Sequence, residues 1–563
     1  MKSTYAIGID FGTESGRTVL VDVADGREIA TAVHSYANGV IADYLPDSNV
    51  SLGPDWALQD PQDYIATLQQ AIPQVLAAGG VQPEDVIGIG VDCTACTMLP
   101  VLNDGTPFCQ LPEYCNEPHA WVKLWKHHAA QPEADRINEI AQARKEPWLS
   151  LYGGRISSEW FFSKALQILE EAPRIYHSAH RLIEAADWIV WRLTGQETRN
   201  ACCAGYKAMW QKGEGFPARD FFAALHPDFA DVVDTKMKRA ILPLGSLAGR
   251  LTPEAAAWTG LRAGTAVAVG AIDAHATVPA AQATTPGIMT IILGTSNCHM
   301  VLSERRIAVP GISGVVADGI VPDYFGYEAG QAAVGDIFAW FIEHGVPAVY
   351  HEAAAQQGVS LYAYMQEAAA QQPPGAHGLL ALDWWNGCRS TLVDADLSGL
   401  LVGATLSTTA PDIYRALLES TAFGTRKIIE TFVQNGVPVD RIVAAGGLAE
   451  RNPLLMQIYA DVTGREFSMV RSEQASALGA AMHGAVAAGV DAGGYASLAD
   501  AAQKMGGVKA QSYQPIPAHQ AIYDRLYHEY ARLYEYFGQG ETTHGNAVMK
   551  RLRELRRAVL AAA

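Results

Sequence analysis

Two stretches half a chain apart share one unusual design. Residues 8–22, "GIDFGTESGRTVLVD", run from an apolar strand into a glycine-rich tip and out into a second apolar strand. Residues 287–302, "GIMTIILGTSNCHMVL", repeat the pattern, again with Gly-Thr-Ser at the tip. A strand–turn–strand unit repeated at that distance implies two domains of related architecture facing one another. Glycine removes the Cβ barrier, so backbone N–H groups and the Thr and Ser hydroxyls of such tips can close on a phosphate. Asp10, a carboxylate inside the first apolar run, can hold a magnesium ion at the strand end, usually through water. Either tip alone also reads as an ordinary turn. As a facing pair they point to a clamp on the β- and γ-phosphates of a nucleotide.

The chain of 563 residues is too long for one hydrophobic core, which agrees with two domains. Apolar residues make up 49% and charged residues 18%, as in a folded globular protein. A net charge of −18 argues against nucleic-acid and anionic-membrane partners, which need a basic surface. The one basic stretch, "MKRLRELRRAVL", reads as a terminal amphipathic helix, solvated or serving a homodimer contact. The sequence enters a strand at once, without a basic and then apolar leader, and contains no apolar run of about 18 residues. Eight cysteines, two of them adjacent (Cys202 and Cys203), do not form a disulfide framework. The expectation is a reduced, cytoplasmic protein.

Strand-like runs at "YAIGIDFG", "VIGIGVDC", "TAVAVGAI" and "DRIVAAGG" alternate with helical patterns such as "PQDYIATLQQAIPQVLAAG" and "NPLLMQIYADVTG", giving an α/β protein. "PHAWVKLWKHHAA" and "PEADRINEIAQARK" also read as helices. The small residues, Thr and Pro of 276–287 mark the expected break, with domains at 1–283 and 284–563. Neither a P-loop nor a dinucleotide-binding glycine fingerprint is present.

Asp273, after the strand "TAVAVGAI", is either a base that accepts a substrate hydroxyl proton or a helix N-cap. His275 reads as a packing or supporting residue. In "AGGLAERNPLLMQ", Gly446 and Gly447 allow a flat base or ribose to approach the backbone, or simply connect a strand to a helix that Asn452 caps. Glu328 precedes an expected helix carrying Gly330 and Gly335, where glycine costs about 1 kcal/mol relative to alanine unless something approaches closely. Cys93 and Cys96 have zinc-like spacing, but no second pair completes a tetrahedral site.

Taken together, "GIDFGTESGR", "GAIDAH", "LGTS" and "AGGLAERNPLLMQ" resemble the FGGY carbohydrate kinases of the actin-like ATPase superfamily, in the same order over roughly residues 5 to 540. "GVDCTACTMLP", "GGRISSEWFFSKAL", "CCAGYKAMW" and "YEAGQAAVGDIFAWF" are similar to the branch that phosphorylates L-ribulose. The resemblance implies two RNase H-like domains with ATP and sugar meeting in the central cleft. It implies Asp273 as catalytic base and Asp10 as the residue for magnesium. For the nucleotide it implies Thr13, Gly294, Thr295, Ser296, Gly335, Gly446, Gly447 and Asn452. For the sugar it implies Ala95, Lys207 and Glu328, with Asp92 and Trp125 as further candidates. Tyr206 stands where the family often has histidine. The implied reaction is transfer of the γ-phosphoryl group of ATP to the C5 hydroxyl of L-ribulose in arabinose catabolism. The alternatives are another ketopentose or pentitol as acceptor, or a nucleotide-gated actin-fold module without catalysis.

Overall fold

The structure, a computed structural model, describes residues 3–540 and 545–562. The outermost residues of the two expected domains (1, 2 and 563) and residues 541–544 lie outside it. Its two main sheets are built alike. The first contains β1 (Tyr5–Phe11), β2 (Ser15–Asp22), β3 (Glu28–Ser35), β4 (Val86–Cys93), β5 (Leu247–Arg250), β6 (Ala266–Ala268) and β7 (Ala271–Ile272). The second contains β8 (Gly287–Leu293), β9 (Asn297–Ser303), β10 (Gly314–Ala317), β11 (Phe325–Gln331), β12 (Val439–Ala445), β13 (Phe467–Val470) and β14 (Val508–Tyr513).

The orders are β5-β6-β4-β1-β2-β3, with β7 also on β4, and β10-β11-β9-β8-β12-β13-β14. In each, an antiparallel hairpin extends to a third antiparallel strand on one side. On the other side it meets two parallel strands and a final antiparallel one. The repeat visible in residues 8–22 and 287–302 is therefore a repeat of whole sheets, each centred on its hairpin.

Helices start where capping chemistry allows. In α1 (Pro61–Gly79), Asp60 accepts from the Gln62 N–H and Gly80 ends the helix at φ +62°. Next come α2 (Phe161–Glu171), α3 (Ala201–Ala208) and α4 (Asp273–Ala280), then α5 (Gly335–His344) and α6 (Ala410–Gln434), the last opened by a Thr409/Asp412 capping box. The chain continues through α7 (Pro453–Thr463), α8 (Ala475–Ala488) and α9 (Val548–Ala562).

Helix α8, from the second half of the chain, lies on the first sheet. A Cβ at Gly8 would stand 1.7 Å from the Ala477 carbonyl oxygen, and one at Gly90 1.7 Å from that of Ala480. On the facing side, a Cβ at Gly479 would stand 1.7 Å from the Ala276 carbonyl of α4. Backbone packs on backbone there because glycine leaves no side chain between.

The expected helix at "PHAWVKLWKHHAA" is instead a 3-10 turn (Pro118–Ala120), a two-residue strand (Val122–Lys123) and turns. Lys123 is buried over the Trp56 ring at 4.2 Å and its strand pairs with Leu58–Gln59, so tertiary pairing overrides helical propensity. Glu328 and Gly330 lie on strand β11, not at a helix, and α5 begins only at Gly335. The basic terminal helix α9 docks on its own chain, with Lys550 against Asp394 and Arg557 against Asp396, leaving Leu552, Leu555 and Val559 exposed. No helix among the described residues is long and apolar enough to cross a membrane.

Candidate active site

Three strand ends bring three carboxylates together. Asp10 of β1 is in register with Asp92 of β4, and β7 pairs with that same end of β4 before delivering Asp273 as the first residue of α4. Asp92 is fully buried, its carboxyl within hydrogen-bonding reach of the Asp10 carboxyl and of no other donor among the described residues. Arg17 lies 3.8 Å from Asp10. Burial raises Asp10, and raises Asp92 further, with the charges of Asp10 and Asp273 adding to the effect on Asp92. Asp273 is half-buried at the start of α4. Burial, then the charge of Asp10, pushes its carboxyl up to about 7, although the Ala274 N–H donates to its Oδ1 at 2.6 Å. Such a value suits a group that must take a proton near neutral pH.

The hairpin tips are both anchored. The Gly12 N–H donates to the Ser15 carbonyl at 3.0 Å, closing the first. Gln59 Nε2 donates to the Thr13 carbonyl at 2.7 Å, and Trp125 Nε1 to Thr13 Oγ1 at 3.0 Å. Trp125 therefore touches the first tip. In the second tip the Gly294 N–H donates to the Ser296 carbonyl at 3.0 Å, while Val334 and Gly335 donate to the Thr295 and Gly294 carbonyls at 2.7 and 3.0 Å. Gly335 is so close that a Cβ would stand 2.6 Å from the Gly294 oxygen.

Gly446, at φ +98°, presses the turn after β12 onto the Leu293 carbonyl at the end of β8. Asn452 Oδ1 accepts from the Leu455 N–H at 2.9 Å and Pro453 opens α7, as the sequence indicates. An open cleft of about 490 Å³ joins Asp10, Arg17, Thr277, Gly446 and Gly447 to residues 472–476. Sequence reasoning missed Arg17 and the 472–476 segment, which carries turn residues with no motif of its own.

A second polar cluster bridges the two halves of the chain. Asn200 caps α3, accepting from the Cys203 N–H at 2.7 Å, and α3 presents Lys207. Lys207 Nζ donates to both carboxylate oxygens of Glu328, each at 3.0 Å. Burial opposes both charges, but each outweighs it for the other, so Glu328 stays far below and Lys207 well above its ordinary value. His275 Nε2 lies 3.4 Å from Glu328, and its ring stacks on Tyr206 with centroids 4.4 Å apart. Burial lowers His275, which supports Glu328 as a neutral imidazole.

Ala95 sits in the tight loop after β4, beside Cys96 at φ +55°. Lys164 of α2, fully buried, donates to the Cys96 carbonyl at 2.8 Å and to the Leu124 carbonyl at 2.7 Å. One ammonium thus ties the loop of Ala95 to the loop of Trp125. Nothing in the local pattern around Lys164, an apolar helix face, distinguishes it in the sequence.

The chain matches the N-terminal domain of the FGGY family of carbohydrate kinases over residues 5–279 and its C-terminal domain over 289–488. It is 56% identical over 562 residues to the ribulokinase of Geobacillus thermodenitrificans, covering 100% of this chain and 99% of that one. It is 53% identical over 553 residues to the ribulokinase of Mycolicibacterium smegmatis, covering 98% of this chain and 96% of that one. A solved xylulose kinase from Rhodospirillum rubrum shares the fold with a TM-score of 0.76 at 24% identity, over 94% of this chain and 98% of that one.

Proposed function

Because the chain belongs to the FGGY family of carbohydrate kinases, we propose that it is a ribulokinase, transferring the γ-phosphoryl group of ATP to the C5 hydroxyl of L-ribulose. The observation that carries the substrate is identity above half with ribulokinases over essentially the whole chain. The geometry supplies the chemistry. Asp273 accepts the proton of the attacking hydroxyl, and its raised carboxyl makes it a base matched to neutral pH. Thr13 with its neighbours, and Gly294, Thr295 and Ser296, offer backbone N–H groups and hydroxyls to the phosphates from opposite sides. Gly446, Gly447 and Asn452 form the adenosine side.

Asp10, which lines the open cleft with the buried carboxyl of Asp92 against it, fits a divalent cation, since Arg17 at 3.8 Å offsets only part of the charge of these carboxyls. Bound Mg2+ would supply neutralisation of charge on the transferring phosphate. Lys207, Glu328 and the Ala95 loop orient the ketopentose. Its hydroxyls and carbonyl call for this mixture of acceptors and donors.

The test is ADP release with Mg-ATP and a panel of L-ribulose, D-ribulose, xylulose, ribitol and glycerol, run beside Asp273→Asn. L-Ribulose should lead and Asp273→Asn should lose turnover. Another leading sugar overturns the substrate, and no sugar-dependent release overturns the kinase.

A further inference from the structure

Beyond Lys207 and Glu328, a second pair of opposite charges faces across the halves of the chain, and it is bonded quite differently. Glu159 lies just before α2, and Arg389 in the segment between residues 382 and 400. Their side chains approach to 3.6 Å, too far for a hydrogen bond. Arg389 is largely buried, its side chain 29% exposed, and runs across β11, where a Cβ on Gly330 would stand 3.2 Å from its Cδ. Its guanidinium carries five N–H donors and makes no hydrogen bond among the described residues. The Glu159 carboxylate, 16% exposed, likewise accepts none there, with the His128 imidazole at 3.6 Å.

Neither group is sealed off, its polar atoms keeping contact with solvent, so this unused capacity is open to a ligand that displaces the water. The pair belongs to the same polar ring as the sugar-side residues. The charge of Glu159 acts on Lys207, and those of Glu159 and Glu328 act on Arg389. Trp160, next to Glu159, places its ring 5.6 Å from Lys207 Nζ. Asp273, in contrast, feels chiefly Asp10, Glu328 and Lys207. Arg389 lies on Gly330, two residues along β11 from Glu328, and Trp160 beside Glu159 lies by Lys207, so the pair adjoins the Lys207–Glu328 contact.

We propose that Arg389 and Glu159 determine specificity for a ketose over the corresponding polyol, by binding the sugar end remote from the phosphorylated hydroxyl. Resting on the ribulokinase reading, the assignment gives Arg389 the C2 carbonyl oxygen, to which it donates, and Glu159 the neighbouring C1 hydroxyl, from which it accepts. A carbonyl offers acceptor lone pairs in a plane that suits the guanidinium fork. A polyol presents a hydroxyl there whose own proton must be turned away.

The experiment compares kcat/KM for L-ribulose and ribitol in wild type, Arg389→Met, Arg389→Lys and Glu159→Gln, with the KM for ATP and the melting temperature alongside. Arg389→Met should lose about 100-fold on L-ribulose, the scale of a hydrogen bond to a charged group, and far less on ribitol. The ratio between the two substrates should collapse while the KM for ATP holds. Arg389→Lys, which keeps charge and most of the bulk, should restore only part of the ratio. Equal losses on both substrates, or no loss, overturn the assignment, and if Arg389→Met melts early then Glu159→Gln and Arg389→Lys decide it. If wild type prefers a different ketose, the ribulose reading fails, and the same comparison on that ketose and its polyol still decides the pair.

Discussion

Lys207 Nζ stands 3.0 Å from both carboxylate oxygens of Glu328, and the two residues come from different halves of the chain. This contact is a bolt between the halves and, in the proposed function, part of the sugar pocket. Both partners are buried, so removing one leaves the other charge uncompensated. Glu328→Gln or Lys207→Met alone should cost about 3–5 kcal/mol of stability. The double variant should recover much of that loss, because no lone charge then remains. Urea denaturation across the double-mutant cycle checks it, and additive losses would mean that the pair is not coupled. The depressed Glu328 carboxyl contributes stability at pH values above the unfolded carboxylate range, and the raised Lys207 ammonium contributes it below the unfolded lysine value. The contact should therefore hold unchanged from about pH 5 to pH 9.

A base with its carboxyl raised to about 7 must lose its proton before it can work. With sugar below saturation, kcat/KM should rise tenfold per pH unit on the acid side of that value and then level. Cation bound beside Asp10 relieves the second cause of the shift and should move this limb to lower pH. Stability runs the other way. The folded value exceeds the unfolded one, so the neutral Asp273 carboxyl contributes stability that is lost as pH rises from about 4 to about 7 and does not change further above that. Asp273→Asn should thus raise the melting temperature more at pH 8 than at pH 5, while turnover falls by about 10²–10⁴-fold. A melting shift independent of pH would reject the raised carboxyl.

Lys164 serves two carbonyls that no other side chain reaches in its place. Lys164→Met keeps the stem but strands the Cys96 carbonyl, at a cost of about 1–3 kcal/mol, while the Leu124 carbonyl keeps only the His127 N–H at 3.0 Å. The loops of Ala95 and Trp125 should loosen together. The KM for sugar should rise at least tenfold in a protein that still folds, as followed by steady-state kinetics and circular dichroism. An unchanged KM would show that the loops hold their shape without the ammonium.

At Gly335 the backbone is of a kind any residue adopts, and alanine normally favours a helix. Only the 2.6 Å approach to the Gly294 carbonyl opposes it. Gly335→Ala should therefore push the second phosphate loop outward, raising the KM for ATP while leaving that for sugar nearly unchanged. A KM for ATP equal to wild type would mean that the loop tolerates the shift.

The paired hairpins, the long helices and the cap at Asn452 were legible because each depends on neighbours within a few residues. The helix misread at "PHAWVKLWKHHAA" and the strand at Glu328 were not, since short apolar runs fit either form and the pairing partner lies elsewhere in the chain. Lys207 and Glu328 emerged from family resemblance rather than from their own surroundings. Glu159 and Lys164 lie inside "GGRISSEWFFSKAL" with nothing there to single them out, and Arg389 left no local signal at all. Their meaning arises only from what long-range folding sets opposite them, a carbonyl in one case and an opposing charge in the other.

The glycine-lined seat of α8 on the first sheet bears on how the two halves can move. Sliding of packed elements proceeds by small rotamer rearrangements at the contact. Between Gly8, Gly90 and the carbonyls of Ala477 and Ala480 there are no rotamers to rearrange. Sliding along this surface would drive backbone into backbone, so this seat holds the register of α8 on the first sheet. The cross-chain pairs Lys207–Glu328 and Glu159–Arg389 are further contacts that fix one half against the other.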